Sequence, residues 1–414
     1  MNSLISEARG RPGDDPIFTI NAAANARRAQ GEPVINASLG ALLDDDGGLS
    51  VMPTVFEAFQ KVPAQQAAAY APIAGDPPFL EAVRRDAFGG GTMFDNSVAA
   101  ATPGGTGALL NAMMNFLEPG QSIYTSSYYW SPYRIIAGHN RRGVETFPMF
   151  DGAGAFHLSA FEEGLVAQLK RQGRALVILN FPCHNPTGYT LDEAEWAGVA
   201  AALGRASEHG DVALVVDLAY AAFGTQPPSV WVDAMETVCD RVAVLAAWTA
   251  SKSFAQYGAR VGALIASIPD ASHRLDVENA ISYTCRGSWS NCNHLGLLAV
   301  SKLLLDDDLR TRVGSERSAL VSLLSDRVDA FNAAAGARGL VYPRYEGGFF
   351  VSVFTPDAEE TARVAAAEGV YVVPMDGAVR LALCAVPQSD IPRLVDAVAR
   401  GVDAANQTKD TAHA

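Results

Sequence analysis

The stretch Ala246-Ala247-Trp248-Thr249-Ala250-Ser251-Lys252-Ser253-Phe254-Ala255-Gln256-Tyr257-Gly258-Ala259-Arg260-Val261-Gly262 sets one lysine behind an apolar run and an arginine eight residues later, in front of a second apolar run, Val261 to Ala266. The first run reads as a buried strand. A lysine in that position is ordinarily a solvated turn residue. The alternative is an amine in an apolar, cation-flanked pocket, which loses basicity and condenses with a carbonyl as a Schiff base. Thr249, Ser251 and Arg260 are the hydroxyls and guanidinium that a phosphate takes, and a lysine-bound cofactor carrying a phosphate is pyridoxal 5'-phosphate.

Two further strings bear on that choice. Ala101-Thr102-Pro103-Gly104-Gly105-Thr106-Gly107 opens an apolar helix, Ala108 to Leu117. A glycine-rich helix start leaves backbone N–H groups free at the positive end of the helix dipole, a ready anion site. The string fits neither the dinucleotide fingerprint nor a P-loop, so nucleotide cofactors lose ground. Val212-Ala213-Leu214-Val215-Val216-Asp217 closes an apolar strand with a carboxylate. Burying that charge costs several kcal/mol unless a cation pairs with it, and a protonated pyridine nitrogen is such a cation. Polar residues thus recur at the C-terminal ends of apolar strands, where open α/β sheets bind ligands.

At 414 residues the length favours two or three structural units. Charged residues make up 18% and the net charge is −14, which argues against nucleic acid or an acidic membrane surface as partner. The five cysteines, Cys183, Cys239, Cys285, Cys292 and Cys384, have no metal-type spacing, so no metal is expected and a reduced, cytoplasmic protein is the economical reading. No secretory signal is expected from the first residues, and no apolar stretch approaches the ~20 residues of a membrane helix.

The lysine segment, the Gly-Gly-Thr-Gly turn, Asn185-Pro186-Thr187-Gly188 after the strand Arg174 to Phe181, and Asp217-Leu218-Ala219-Tyr220 together resemble fold-type I pyridoxal phosphate-dependent aminotransferases, class I/II, of the aspartate and aromatic kind. The resemblance covers nearly the whole chain. It implies an α/β fold with a mostly parallel central sheet in a large domain, and a smaller α+β domain built from both termini. The expected divisions are 1–48 (arm and part of the small domain), 49–309 (large domain) and 310–414 (rest of the small domain). Residues 1 to about 15 are expected to form a mobile arm, and the polar tail from Asn406 is expected to fray.

Roles follow from the resemblance residue by residue. Lys252 holds the cofactor and moves protons, Asp217 faces the pyridine nitrogen, and Tyr220 and Asn185 reach the phenolic oxygen. Gly105, Thr106, Ser251, Arg260 and Thr249 surround the phosphate; Thr249 stands where the family has Ser or Gly. Trp130, in the cluster Tyr128-Tyr129-Trp130-Ser131-Pro132-Tyr133, stacks on the ring, although periodicity alone reads that cluster as core. Tyr70, in Tyr70-Ala71-Pro72-Ile73-Ala74-Gly75, reaches the phosphate of a neighbouring subunit, which implies a homodimer with shared sites. Gly40 lies beside the substrate, Arg380 grips its α-carboxylate, and Arg286, entering the neighbouring subunit's site as Tyr70 does, faces the substrate side chain there. His184 has no evident partner and reads as structural.

The implied activity is amino transfer between an L-amino acid, aromatic or dicarboxylic, and a 2-oxo acid such as 2-oxoglutarate. An amino-acid decarboxylase or β-lyase on the same scaffold, or a non-catalytic regulator that binds the cofactor, are the alternatives. Trp289, where the family has tyrosine, and the aromatic cluster weigh towards aromatic substrates in one half-reaction.

Overall fold

The computed structural model describes residues 3–11, 13, 16–227 and 229–412, the last four by their backbone alone. In chain order its strands are β1 (Ile35–Asn36), β2 (Ser97–Pro103), β3 (Ser122–Ser126), β4 (Gly143–Phe147), β5 (Arg174–Leu179) and β6 (Asp211–Asp217), followed by β7 (Ala243–Thr249) and β8 (Val261–Ser267). Four short strands complete the set: β9 (Phe350–Phe354), β10 (Val370–Tyr371), β11 (Val373–Met375) and β12 (Ala378–Ala382). Contacts divide the chain into a larger unit, residues 50–325 with 343–348, and a terminal unit, residues 1–49, 326–342 and 349–414. The division expected at 310 falls instead at 326, inside the unbroken helix Asp307–Ala337.

The larger unit is built on one seven-stranded sheet in the order β2-β8-β7-β6-β5-β3-β4. Alternation explains why it is covered on both sides. In β5, Ala175, Val177 and Leu179 join one buried cluster while Leu176 and Ile178 join another; β6 and β7 divide in the same way. Side chains of successive residues point to opposite faces, so a run apolar at every position must bury both. Each fully buried Leu, Val or Ile contributes roughly 1.5–3 kcal/mol. All neighbours pair in parallel except β8, which runs antiparallel to both β2 and β7. The helix after β5 begins at Glu193 behind a reciprocal cap, Asp192 Oδ1 accepting from Glu195 N–H and Glu195 accepting from Asp192 N–H, at 2.8 and 2.9 Å.

In the terminal unit β1 pairs with β10, and β9 and β11 flank β12 in a separate antiparallel sheet. Its final helix runs Ile391–Ala412, so the tail expected to fray from Asn406 is helical. Of the expected arm, Ser6–Ala8 forms a short helical turn, while Met1, Asn2, Pro12, Asp14 and Asp15 lie outside the described residues. The two ends of the chain are joined by Arg327, whose side chain is fully buried. It donates to Cys384 O and Leu43 O, each at 2.9 Å, and to Asp45 Oδ1 at 2.7 Å. Burial pushes the Asp45 carboxyl up, but the hydrogen bonds from Arg327 and from Gln388 N–H, with the guanidinium charge, together outweigh it and leave Asp45 below its ordinary value.

Replacing Arg327 by Leu leaves two carbonyls and a carboxylate without their donor. The expected loss of stability is about 2–5 kcal/mol, chiefly from the two carbonyls, since Asp45 is half exposed and regains water. Denaturant unfolding followed by circular dichroism checks it, and a shift under 1 kcal/mol, roughly that of a surface pair, would make Arg327 dispensable to the joint.

Candidate active site

Reversal of β8 brings the site together. Its first residues pair with the last residues of its neighbours, Val261 opposite Pro103 and Gly262 opposite Thr249. Arg260, just before β8, therefore stands at the same sheet edge as the helix start after β2 and the lysine turn after β7. That edge opens on a cavity of about 240 Å3. Gly105, Thr106, Trp130, Asn185, Asp217, Tyr220, Thr249, Ser251, Lys252 and Arg260, ten of the residues singled out in the sequence, line it together with Leu109, Asn180 and Ala219.

Groups chemically suited to an anion occupy part of this lining. The helix Gly104–Phe116 begins with no side-chain cap, so its first-turn N–H groups have no side-chain acceptor. Gly104 has φ +67°, and a Cβ there would stand 2.4 Å from Arg260 Nη2, so the turn requires glycine twice over. Arg260 is held by Ser251 Oγ at 3.3 Å, Tyr257 O at 3.0 Å and Pro103 O at 3.3 Å. The Thr249 hydroxyl is already engaged: it accepts from Ser251 N–H at 3.2 Å, capping the short helix Ala250–Ser253, and lies 3.0 Å from Ser251 Oγ.

Asp217 ends β6 and is 5% exposed. Its Oδ2 accepts from the Tyr133 hydroxyl at 2.7 Å and its Oδ1 from Ala219 N–H at 3.1 Å. Burial raises its pKa; the Tyr133 and Ala219 hydrogen bonds and the Lys252 charge oppose that without cancelling it. Asn180, at the end of β5, donates to Asp217 O at 2.9 Å and accepts from Asn185 N–H at 2.8 Å. Asn185 Nδ2 lies 3.4 Å from Tyr220 Oη. Lys252 Nζ sits 4.8 Å from the centre of the Tyr257 ring and 5.8 Å from that of Tyr220.

Other expected residues are not among the cavity's lining. Tyr70 is 91% exposed and, with Trp289, Ser290 and Asn291, lines a separate open cleft of about 450 Å3. Its loop is fixed, since Asn291 accepts from Ala71 N–H at 3.1 Å and donates to Ala71 O at 2.7 Å. Arg286 is in the last turn of the helix Ala271–Ser288, exposed, and donates to Ser290 Oγ at 2.9 Å. Neither residue lines the 240 Å3 cavity. Gly40 and Arg380 belong to the terminal unit and meet around Phe350: a Cβ on Gly40 would stand 2.5 Å from that ring, and the Arg380 guanidinium lies 4.4 Å from its centre. Arg380 also donates to Ser38 O at 2.8 Å. His184 does have partners, Thr187 Oγ1 at 2.8 Å and Ser126 Oγ at 3.5 Å, and burial pushes its pKa down to about 3.

Asn180 and Tyr133 were missed in the sequence. The signal for Asn180 was present, a polar residue closing an apolar strand. Tyr133 lies three residues past Trp130, across the start of the helix Pro132–His139, so the two rings fall on neighbouring positions.

An uncapped helix start with a guanidinium, a buried carboxylate, and a lysine around one cavity define a site for a phosphate-bearing cofactor with a ring nitrogen and an aldehyde. The comparisons with known proteins agree. The chain is 28% identical over 93% of its length to an aromatic-amino-acid aminotransferase of Paracoccus denitrificans, covering 96% of that protein. It is 26% identical to an aspartate aminotransferase of Pseudomonas aeruginosa, over 96% of this chain and 99% of the relative. A solved aminotransferase from Anaerococcus prevotii matches 97% of this chain and 100% of its own at 30% identity and a TM-score of 0.92. Aminotransferase class I and II matches residues 32–398, and the chain belongs to that family. It is a pyridoxal phosphate-dependent aminotransferase of fold type I.

Gly104→Ala is expected to destabilise the protein without cofactor by about 1–3 kcal/mol, from backbone strain and displacement of Arg260. In an Arg260→Ala background the same change should cost less, because only the strain is left. Thermal unfolding of the four proteins measures both; equal costs in the two backgrounds would mean that Arg260 does not depend on the missing Cβ.

Proposed function

We propose that Lys252 is the residue that bonds the cofactor and moves protons at the substrate, in a site completed by a second copy of the chain. The observation that carries this is the single cavity lined by Lys252, Asp217, Arg260 and the uncapped helix start. When bound, pyridoxal phosphate supplies an electron sink for the bonds at the substrate Cα. Gly105 and Thr106 N–H groups, Thr249, Ser251 and Arg260 would hold the phosphate. Asp217 would keep a proton on the ring nitrogen, Asn185 and Tyr220 would serve the phenolic oxygen, and the Trp130 ring would cover the pyridine and exclude water. Lys252 Nζ, the amine in that cavity, would take up a proton at the substrate Cα as general base and return it as general acid. Arg380 binds the α-carboxylate as a bidentate pair, with Gly40 beside it.

The domains are taken as a large cofactor-binding domain and a small domain from both termini. We take the protein as cytoplasmic, which suits five buried thiols; among the described residues no helix is long and apolar enough to cross a membrane. Lys252→Ala should abolish amino transfer with the fold retained. Turnover near wild type by that variant, assayed with a panel of amino acids and 2-oxoglutarate, would refute the assignment.

Homodimerisation is supported by an aromatic side chain as exposed as Tyr70 on a loop pinned at Ala71. Two such sites per dimer imply complementation. Mixing inactive Tyr70→Ala and Lys252→Ala proteins should restore part of the activity through hybrid dimers, and a protein active as a monomer by light scattering sinks the idea.

The substrate pairs we propose are an aromatic or dicarboxylic amino acid with 2-oxoglutarate. Relatives named for aromatic amino acids and for aspartate both resemble this chain, and Arg286 has the planar fork that suits a distal carboxylate. Arg286→Leu is expected to lower kcat/KM for glutamate or aspartate on the order of 100-fold and to spare phenylalanine. Equal losses for both classes would assign Arg286 to the loop at Ser290 instead.

A further inference from the structure

Resting on the reading of Asp217 as the partner of the cofactor's ring nitrogen, we infer that Tyr133 is a positioning residue whose hydroxyl holds the Asp217 carboxylate oriented and ionised towards that nitrogen. The contact is a 2.7 Å hydrogen bond between two buried groups, Tyr133 being 1% and Asp217 5% exposed. Its direction is fixed by chemistry. Burial, and then the neighbouring Asp217 charge, push the Tyr133 hydroxyl well above its ordinary pKa, so tyrosine keeps its proton and the carboxylate accepts. A hydrogen bond donated to the charged form of an acid favours that form.

Geometry gives the bond its orienting effect. Oδ2 is tied to Tyr133 and Oδ1 to Ala219 N–H, so rotation of the carboxylate breaks two bonds at once. Each oxygen retains a further lone pair for a ring N–H. Tyr133 is itself fixed, its ring perpendicular to Trp130 at 5.7 Å and parallel to Tyr129 at 6.2 Å. One side chain therefore braces both the carboxylate and the aromatic ring that line the cavity. Lys252 and Tyr220 are the other titratable groups acting on the pair.

The test compares the affinity of the cofactor-free protein for pyridoxal phosphate with that for its carbocyclic analogue, in which C–H replaces the ring nitrogen. The ratio reports what the nitrogen contributes and needs no turnover. Tyr133→Phe, which removes one oxygen and keeps the ring, should reduce the preference for the nitrogen ring on the order of 10- to 100-fold. Asp217→Asn should reduce it at least as far, and the double variant no further than Asp217→Asn alone. Tyr133→Gln, which returns an N–H donor, should regain part of the preference, and Tyr129→Phe should leave it unchanged. If Asp217→Asn loses the preference while Tyr133→Phe keeps it, or if the two losses add, the inference is overturned and Tyr133 only packs. Should Asp217→Asn keep the preference, the reading of Asp217 itself has failed.

Discussion

A carboxylate taken out of water at the end of β6 is the constraint around which this sheet edge is arranged. Left alone, such a charge costs several kcal/mol. Hydrogen bonds to a charged group return roughly 1.5–3 kcal/mol each, and Asp217 has two, from Tyr133 and Ala219. Lys252 adds a positive charge through space. The compensation is incomplete, since burial still holds the pKa of Asp217 above its ordinary value. A carboxylate in that condition favours a further cation beside it, and the ring N–H⁺ we propose for the cavity that Asp217 lines would meet the need.

The second constraint is topological. Strand β8 is seven residues long, so at ~3.3 Å per residue its two ends lie about 20 Å apart. Run in parallel with β7, it would deliver Arg260 to the far edge of the sheet. Run antiparallel, it sets Arg260 beside the glycine turn after β2, close enough for a bond to Pro103 O. The short excursion from Thr249 to Arg260 is then the whole connection between β7 and β8, and the lysine rides on it. Anion site and lysine are thus positioned by one chain reversal, and the absence of a Cβ at Gly104 is what lets the guanidinium come so near.

These two constraints explain what the sequence disclosed. Gly105, Lys252, Asp217 and Arg260 were legible because each is a polar or flexible residue breaking an apolar run, and a buried strand tolerates such a break only at its end. Tyr133 carries the opposite pattern. It sits in an aromatic cluster whose periodicity reads as core, and it is core by burial; only its hydroxyl belongs to the site, which no spacing reveals. The hydroxyl of Thr249 also caps a helix, which the string alone does not disclose: a threonine before a helix has the nearest orphan N–H in reach. The division at 326 was hidden for a related reason. The helix Asp307–Ala337 continues through it with neither glycine nor proline in the turns on either side, so composition changes nowhere near the boundary.

Tyr70 presents the remaining physical problem. A tyrosine 91% exposed is ordinary on a loop free to fold back, but the Ala71 backbone is clamped by both ends of the Asn291 amide. Clamping denies the ring the local packing that would remove its apolar face from water. The cost of exposing that face, on the order of 25 cal/mol per Å2, persists in the isolated chain and is relieved when another surface covers it. Leu295, which lines the same cleft, is also partly exposed, so apolar area there is not confined to one ring. A displayed aromatic side chain on a pinned loop favours association, and our proposal that a second copy covers it makes the tyrosine's exposure a property of the separated subunit alone.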